Sequence, residues 1–339
     1  MNTDMKTTFH KIARLLAVPA AFLLASCSDW TDPESLGLHT PEIGEEYPEQ
    51  YAAYLENLRS WKATAHQAVL ATFDNSTAEP SSRAHHIASL PDSLDVVVLT
   101  APQLPEWQQT EMEQTRRDKG TRFIYAVDHD GLRSDWEAAG GADAAEWTAY
   151  LAERMATAFD ACEQYGYDGV LVRYNGKSTL HMTPEELAVY TAEQRAFIGP
   201  VTEWVDGSEP KLFLFGGDPT TLLDSKLLVK ADYIVVDTSA ATSVDELTFA
   251  VRSCMGPQVP AGRFVVTVPT VVRDDPDAVG YFGKEMALPL AAAWMTRPSA
   301  DFTRAGLLVE GIERDFYNAG LIYKHAREAI ATVNPSPKN

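Results

Sequence analysis

Three observations predict a (β/α)8 TIM barrel. Eight short apolar runs recur along the 339 residues, and stretches of helical periodicity separate them. No glycine-rich phosphate loop follows the first run, which disfavours the open doubly wound sheet, the other architecture made of repeated βα units. A chain of this length, with 45% hydrophobic and 10% aromatic residues, has enough apolar material to close such a core.

The N-terminus reads as a targeting segment. Lys6, Lys11 and Arg14 precede an apolar stretch over residues 12–24, too short to span a bilayer comfortably. It ends in Leu24-Ala25-Ser26-Cys27, which resembles a bacterial lipobox, so residues 1–26 are expected to be a lipoprotein signal peptide and Cys27 the lipidated residue. Residues 27–48 carry six acids and three prolines and read as an acidic tether. Tyr51, Tyr54, Leu55, Leu58 and Trp61 then form an amphipathic stripe, a lid or first layer of the domain at 49–335.

The expected strands are Ala68–Phe73, Asp95–Thr100, Arg122–Val127, Gly169–Tyr174, Lys211–Phe215, Tyr233–Asp237, Phe264–Val268 and Gly306–Ile312. Pro105 opens a helix that stops at Gly120, and Gly166 closes the one through Trp147, Leu151 and Phe159. Thr183-Pro184-Glu185-Glu186 and Ser243-Val244-Asp245-Glu246 are capping boxes. Asp218-Pro219 is expected to start another helix, and the last helix is expected over residues 318–331.

The formal net charge of −20 falls to −22 without residues 1–26, which hold three basic groups and one acid. Such a field repels nucleic acid and anionic lipid, so contact with membrane is expected through the anchor only. Cys162 and Cys254 lie in helical patterns and read as buried small hydrophobes. No cysteine–histidine spacing suggests a metal, and Asp128-His129-Asp130 reads as a loop cap rather than a metal site. No cofactor and no metal are expected.

Tyr167-Asp168-Gly169-Val170-Leu171-Val172-Arg173-Tyr174-Asn175 is an apolar run too short for a helix and reads as a buried parallel strand. Its frame resembles the signature of family 18 glycoside hydrolases, the chitinases and endo-β-N-acetylglucosaminidases, in which Asp-Gly is followed by a D-x-D-x-E series. Asp168-Gly169 is present, but the three acidic positions hold Leu171, Arg173 and Asn175. Further parts of the chain are similar to the family: Leu94–Leu99, Lys119–Tyr125, Tyr233–Asp237 and Gly306–Glu310 to its barrel strands, and Arg314–Tyr317 and Tyr323–Ile330 to family 18-like lipoproteins of Bacteroidetes glycan-utilisation loci.

The resemblance implies where chemistry would stand. In the family, the last Glu protonates the leaving oxygen, and the Asp two residues earlier orients the substrate N-acetyl group that attacks the anomeric carbon. Alternate strand residues share a face, so Leu171, Arg173 and Asn175 are expected to point together into the barrel. An amide at the acid position delivers no proton at neutral pH, and loss of general acid catalysis alone costs about 10²–10⁴-fold. Arg173 needs a carboxylate partner, for which Asp237 is the candidate.

The resemblance thus points to a glycan-binding lipoprotein without hydrolysis, held at the surface of the outer membrane. It would capture oligosaccharides containing N-acetylglucosamine beside a transporter complex. Asn175, Arg173, Tyr174, Asp237 and Trp294 are the expected contacts, with Tyr125, Asp74 and Glu310 completing a polar cup. For Trp294, a core position in an alanine-rich helix is the alternative to a stacking floor under the sugar. Two other functions stay open: a hydrolase with Asp237 or Glu310 as relocated acid, and a docking component of the transporter.

Overall fold

The computed structural model describes residues 43–207, 210–272 and 279–335. The signal segment, Cys27 and the tether up to residue 42 lie outside the described residues. The chain divides into two units, Met1–Ala53 and Tyr54–Asn339. In the first, Ile43–Glu46 form one helical turn, and helix α1 (Pro48–Lys62) begins.

The second unit is a closed barrel of eight parallel strands: β1 (Ala68–Phe73), β2 (Val96–Leu99), β3 (Arg122–Asp128), β4 (Gly169–Tyr174), β5 (Leu212–Gly217), β6 (Tyr233–Val236), β7 (Phe264–Pro269) and β8 (Arg304–Glu310). Around the ring they run β1-β8-β7-β6-β5-β4-β3-β2, so β4 and β8 face each other across the bore. The strands are apolar on both sides because the inner face fills the bore and the outer face packs under helices. Leu70, Val98, Ile124, Leu171, Leu214, Val235 and Leu308 form the inner layer. Phe73, Phe123, Val172, Phe213 and Val266 belong to the outer one.

The outer ring contains α2 (Glu106–Lys119), α3 (His129–Ala138), α4 (Ala144–Tyr165), α5 (Pro184–Val205), α6 (Val244–Ser253), α7 (Ala287–Met295) and α8 (Lys324–Val333). Helix α3, not expected from the sequence, starts because the Asp128 carboxylate accepts from the Asp130 and Gly131 N–H groups. Asp218 does cap a turn, but only the 3-10 turn Pro219–Thr221, and Asp224 caps a second one over Ser225–Lys230. The last helix begins at Lys324, not at Asn318, because Gly320 (φ 84°) and Tyr323 (φ 53°) hold the chain in left-handed conformations. Cys162 and Cys254 are free and buried in the outer layer, where burial pushes each thiol up to about 12.

The N-terminal end of the barrel is pinned by three aspartates, each just before an even-numbered strand. Asp95 accepts from Val69 N at 2.8 Å, Asp168 from Phe123 N at 2.7 Å and Asp232 from Phe213 N at 2.9 Å. Asp168 also takes Arg116 Nε at 3.1 Å, and a Cβ on Gly169 would lie 1.9 Å from the Leu212 carbonyl oxygen. The Asp-Gly pair is therefore a packing requirement of this strand. Lys62 of α1 donates to Leu94 O and Thr121 Oγ1 at 2.6 and 2.8 Å, so this part of α1 lies at the pinned end and is a layer, not a lid over the mouth.

Candidate functional site

The C-terminal ends of the strands form the mouth, where barrel sites are built. On β4, Leu171 faces inward and is fully buried in the inner layer. Arg173 follows it up the bore and meets Glu310 of β8, the opposite strand, at 3.6 Å. Each side chain is about a quarter exposed, so the pair forms a strut across the bore beneath open solvent. Gly216, the register partner of Arg173 on β5, leaves room for it, since a Cβ there would stand 3.1 Å from Arg173 Cγ. The partner of Arg173 is thus Glu310 and not Asp237. Asp237 sits exposed at the rim, its carboxylate accepting from Ser239 N and Oγ in a local turn.

Asn175, one step above Arg173 on the same face, is exposed and held from both sides. Its Nδ2 donates to Asp130 Oδ2 at 3.2 Å, and its Oδ1 accepts from Asp218 N at 3.1 Å. Asp130 Oδ1 lies 3.2 Å from His129 Nδ1, and His129 Nε2 lies 3.0 Å from Glu193, which also binds Arg133 at 2.8 Å. Burial alone would raise the Glu193 carboxyl. The hydrogen bond with His129 and the Arg133 charge outweigh it and hold the group down to about 2. The amide is thereby the exposed end of a polar chain that runs back under α5.

A cavity of about 640 Å3 opens beside this row, toward β1, β6, β7 and β8. Thr72, Asp74, Thr100, Ser239, Glu310, Glu313 and Arg314 supply its polar lining. Glu313 Oε2 accepts from Asp74 N at 3.4 Å, with Arg314 Nε 3.9 Å from its other oxygen. Burial pushes the Glu313 carboxyl above its ordinary range. Such a hollow, apolar at Pro269 and Ala240 and ringed by hydroxyls and acids, suits a neutral hydroxyl-rich ligand.

Of the expected contacts, the mouth brings together Arg173, Asn175, Asp74 and Glu310, with Asp237 at its rim. Three others lie elsewhere. Tyr174 is on the outward side of β4, where its hydroxyl exchanges hydrogen bonds with Tyr190 and Gln194 at 3.1 Å and burial pushes its pKa up. Tyr125 also faces outward, its ring centroid 6.1 Å from that of Tyr167. Both fall out of the cup because they sit one residue off the inward parity of their strands. Trp294 is 2% exposed near the C-terminus of α7, donates to Thr248 Oγ1 at 2.9 Å and stacks on Arg304 at the pinned end. The core position is the correct one for this tryptophan, and it forms no floor under a sugar.

Glu313 and Arg314 were not among the expected contacts. Their signal was the spacing Glu310-x-x-Glu313 at the end of a strand, which a 3-10 turn over Ile312–Asp315 curls back over the mouth.

Chemically, none of the three positions, two on β4 and one just beyond it, carries a carboxylate. What they offer is a hydrocarbon, a cation engaged with Glu310 and an amide engaged with Asp130 and the Asp218 N–H.

No curated protein sequence matches the chain. Among solved structures, a selenomethionine variant of BT1044 is similar over 87% of this chain and 96% of its own, at 17% identity and a TM-score of 0.59. An endo-β-N-acetylglucosaminidase from Cordyceps militaris is similar over 84% of this chain and 96% of its own, at 17% identity and a TM-score of 0.59. A double variant of that enzyme, in complex with fucosyl-N-acetylglucosamine-Asn, matches with the same coverage and identity at a TM-score of 0.56. These likenesses show a shared barrel. The family model described as glycoside hydrolase family 18, BT1044-like, matches residues 31–332. The chain therefore belongs to the BT1044-like branch of glycoside hydrolase family 18.

Proposed function

We propose that this family 18 barrel captures oligosaccharides containing N-acetylglucosamine without hydrolysing them. One observation carries the reading: the row where the family's acids are expected holds Leu171, Arg173 bound to Glu310, and Asn175 bound to Asp130. A fixed cation there accepts no amide N–H from a substrate and opposes the positive charge that develops when an N-acetyl group attacks the anomeric carbon. The cavity beside the row is large enough for one or two sugar rings. A structural relative holds a fucosylated N-acetylglucosamine, which supports the choice of ligand class. Lipidation at Cys27, placement at the surface of the outer membrane and service to a glycan transporter belong to the same proposal and rest on the lipobox-like stretch.

Calorimetry of the chain lacking residues 1–26 against chitotriose and a released N-glycan tests binding. Asp74→Ala with Arg314→Ala is expected to weaken the interaction by about tenfold or more, the cost of two lost polar contacts. Unchanged affinity removes the site. Product accumulating at an enzyme-like rate removes the non-catalytic reading.

A second reading has one observation in its favour. Asp130 lies in contact with the amide at the acid position and is half exposed to the mouth, so a relocated acid would be Asp130 rather than Asp237 or Glu310. Slow hydrolysis abolished by Asp130→Asn would establish it, and no turnover at high protein concentration would end it.

A further inference from the structure

We propose that the cleft at the pinned end of the barrel, between β8, α7 and α8, binds a phosphate- or sulfate-type group carried on a larger molecule and gripped by Arg304 and Arg297. The cleft has a volume of about 500 Å3, more than a bare anion fills, and lies at the opposite end from the sugar cavity. The proposal is therefore independent of glycan binding at the mouth.

Arg304, the first residue of β8, is only 9% exposed. Its guanidinium lies 4.2 Å from the Trp294 ring centroid and 5.2 Å from that of Phe302. One terminal N–H donates to the Arg297 carbonyl, while the buried Nε has no partner among the described residues. The neighbouring acid in sequence, Asp301, is bound to Arg252 at 2.6 Å. Among the described residues, neither Arg297 nor Arg304 forms an ion pair, although the chain has 48 acids against 28 basic groups. Burial and the nearby Arg297 charge depress the Arg304 pKa, the sign of a cation lacking compensation.

The Trp294 and Phe302 faces and the Arg297 carbonyl steady the guanidinium. Those are partial charges, and they leave the net positive charge of Arg304 unanswered by any carboxylate among the described residues. With Nε sealed from solvent, the terminal N–H groups of Arg304 that remain free are the ones that can meet the oxygens of a tetrahedral anion, and Arg297, exposed at the rim, supplies a second cation. The hydroxyls of Ser299 and Thr303 line the same cleft and complete a donor set for a phosphate or sulfate ester.

The test is thermal unfolding and calorimetry at constant ionic strength, with sodium chloride replaced by inorganic sulfate, inorganic phosphate or N-acetylglucosamine 6-sulfate. Unsulfated N-acetylglucosamine is the control for the mouth. A saturable rise in Tm is expected with all three anions, steepest with the sulfated sugar. Arg297→Ala, an exposed truncation, is expected to weaken each anion at least tenfold, and Arg304→Lys to do the same while keeping the charge. Equal responses of the wild-type protein and Arg297→Ala, or no response beyond that of chloride, overturn the site. A response to the free ions but none to the sulfated sugar overturns the larger carrier.

Discussion

Arg173 carries a permanent charge into the bore, and Glu310 on the facing strand answers it at 3.6 Å. Both remain a quarter exposed, so the coupling is intermediate between surface and buried pairs. A double-mutant cycle of Arg173→Met and Glu310→Gln, followed by urea unfolding, is expected to give roughly 1 kcal/mol of coupling that shrinks in high salt. Asp168 presents the opposite case, a residue of the family frame whose work is structural. Asp168→Ala leaves Phe123 N without its side-chain acceptor and Arg116 without its carboxylate. It is expected to cost about 2 kcal/mol in the same assay with glycan affinity unchanged. Glu193 provides a pH signature. Its ordinary value is 4.5 and its folded value about 2, so the native state binds fewer protons than the unfolded chain between those limits. The stability advantage of the wild type over Glu193→Gln is therefore expected in full above pH 4.5 and should fade as the pH falls toward 2. Urea midpoints between pH 2.5 and 7 check it.

At the scale of the element, β4 is the strand in which framework and chemistry separate. Its start, Asp168-Gly169, locks to β3 and β5, while the inward side chains at 171 and 173, and at 175 just beyond its end, take no part in the backbone pairing. Leu171→Asp, Arg173→Asp and Asn175→Glu in one chain are expected to yield slow release of an aryl leaving group from an aryl chitobioside. Asn175→Glu alone should release none, because Arg173 still stands where the N-acetyl group must be oriented. Fluorescence release assays distinguish the two. The triple variant should also unfold at lower urea, since its residue 171 places a carboxylate in the apolar inner layer. The strands were legible in the sequence as short apolar runs, and their inward parity because alternate strand residues face the same side, both local properties. Parity alone excludes Tyr174 from the cup, since it stands one residue off the inward face of β4. Trp294 misled for a different reason: the height of a helix residue along the barrel axis depends on tertiary packing, which no local pattern encodes. The Glu310–Arg173 pairing joins residues 137 positions apart and became visible only with the ring closed.

For the whole molecule, the excess of acids sets the response to salt. With a formal charge of −20, self-repulsion opposes the closed barrel, and the melting temperature is expected to rise between 10 and 200 mM sodium chloride. Binding of a neutral chito-oligosaccharide should change little over the same range. Three aspartates grip neighbouring strands at one end of the barrel, and the mouth cavity lies at the other. The aspartates that pin the strands and the residues that line the mouth cavity share no position, so substitutions at the rim leave the pinned end standing. In a saturation mutagenesis library sorted for display of folded chain, replacements at Asp95, Asp168 and Asp232 should be depleted while Asp74, Asn175 and Arg314 accept most replacements. Such a division lets a lineage discard bond cleavage, keep recognition, and still inherit an intact container.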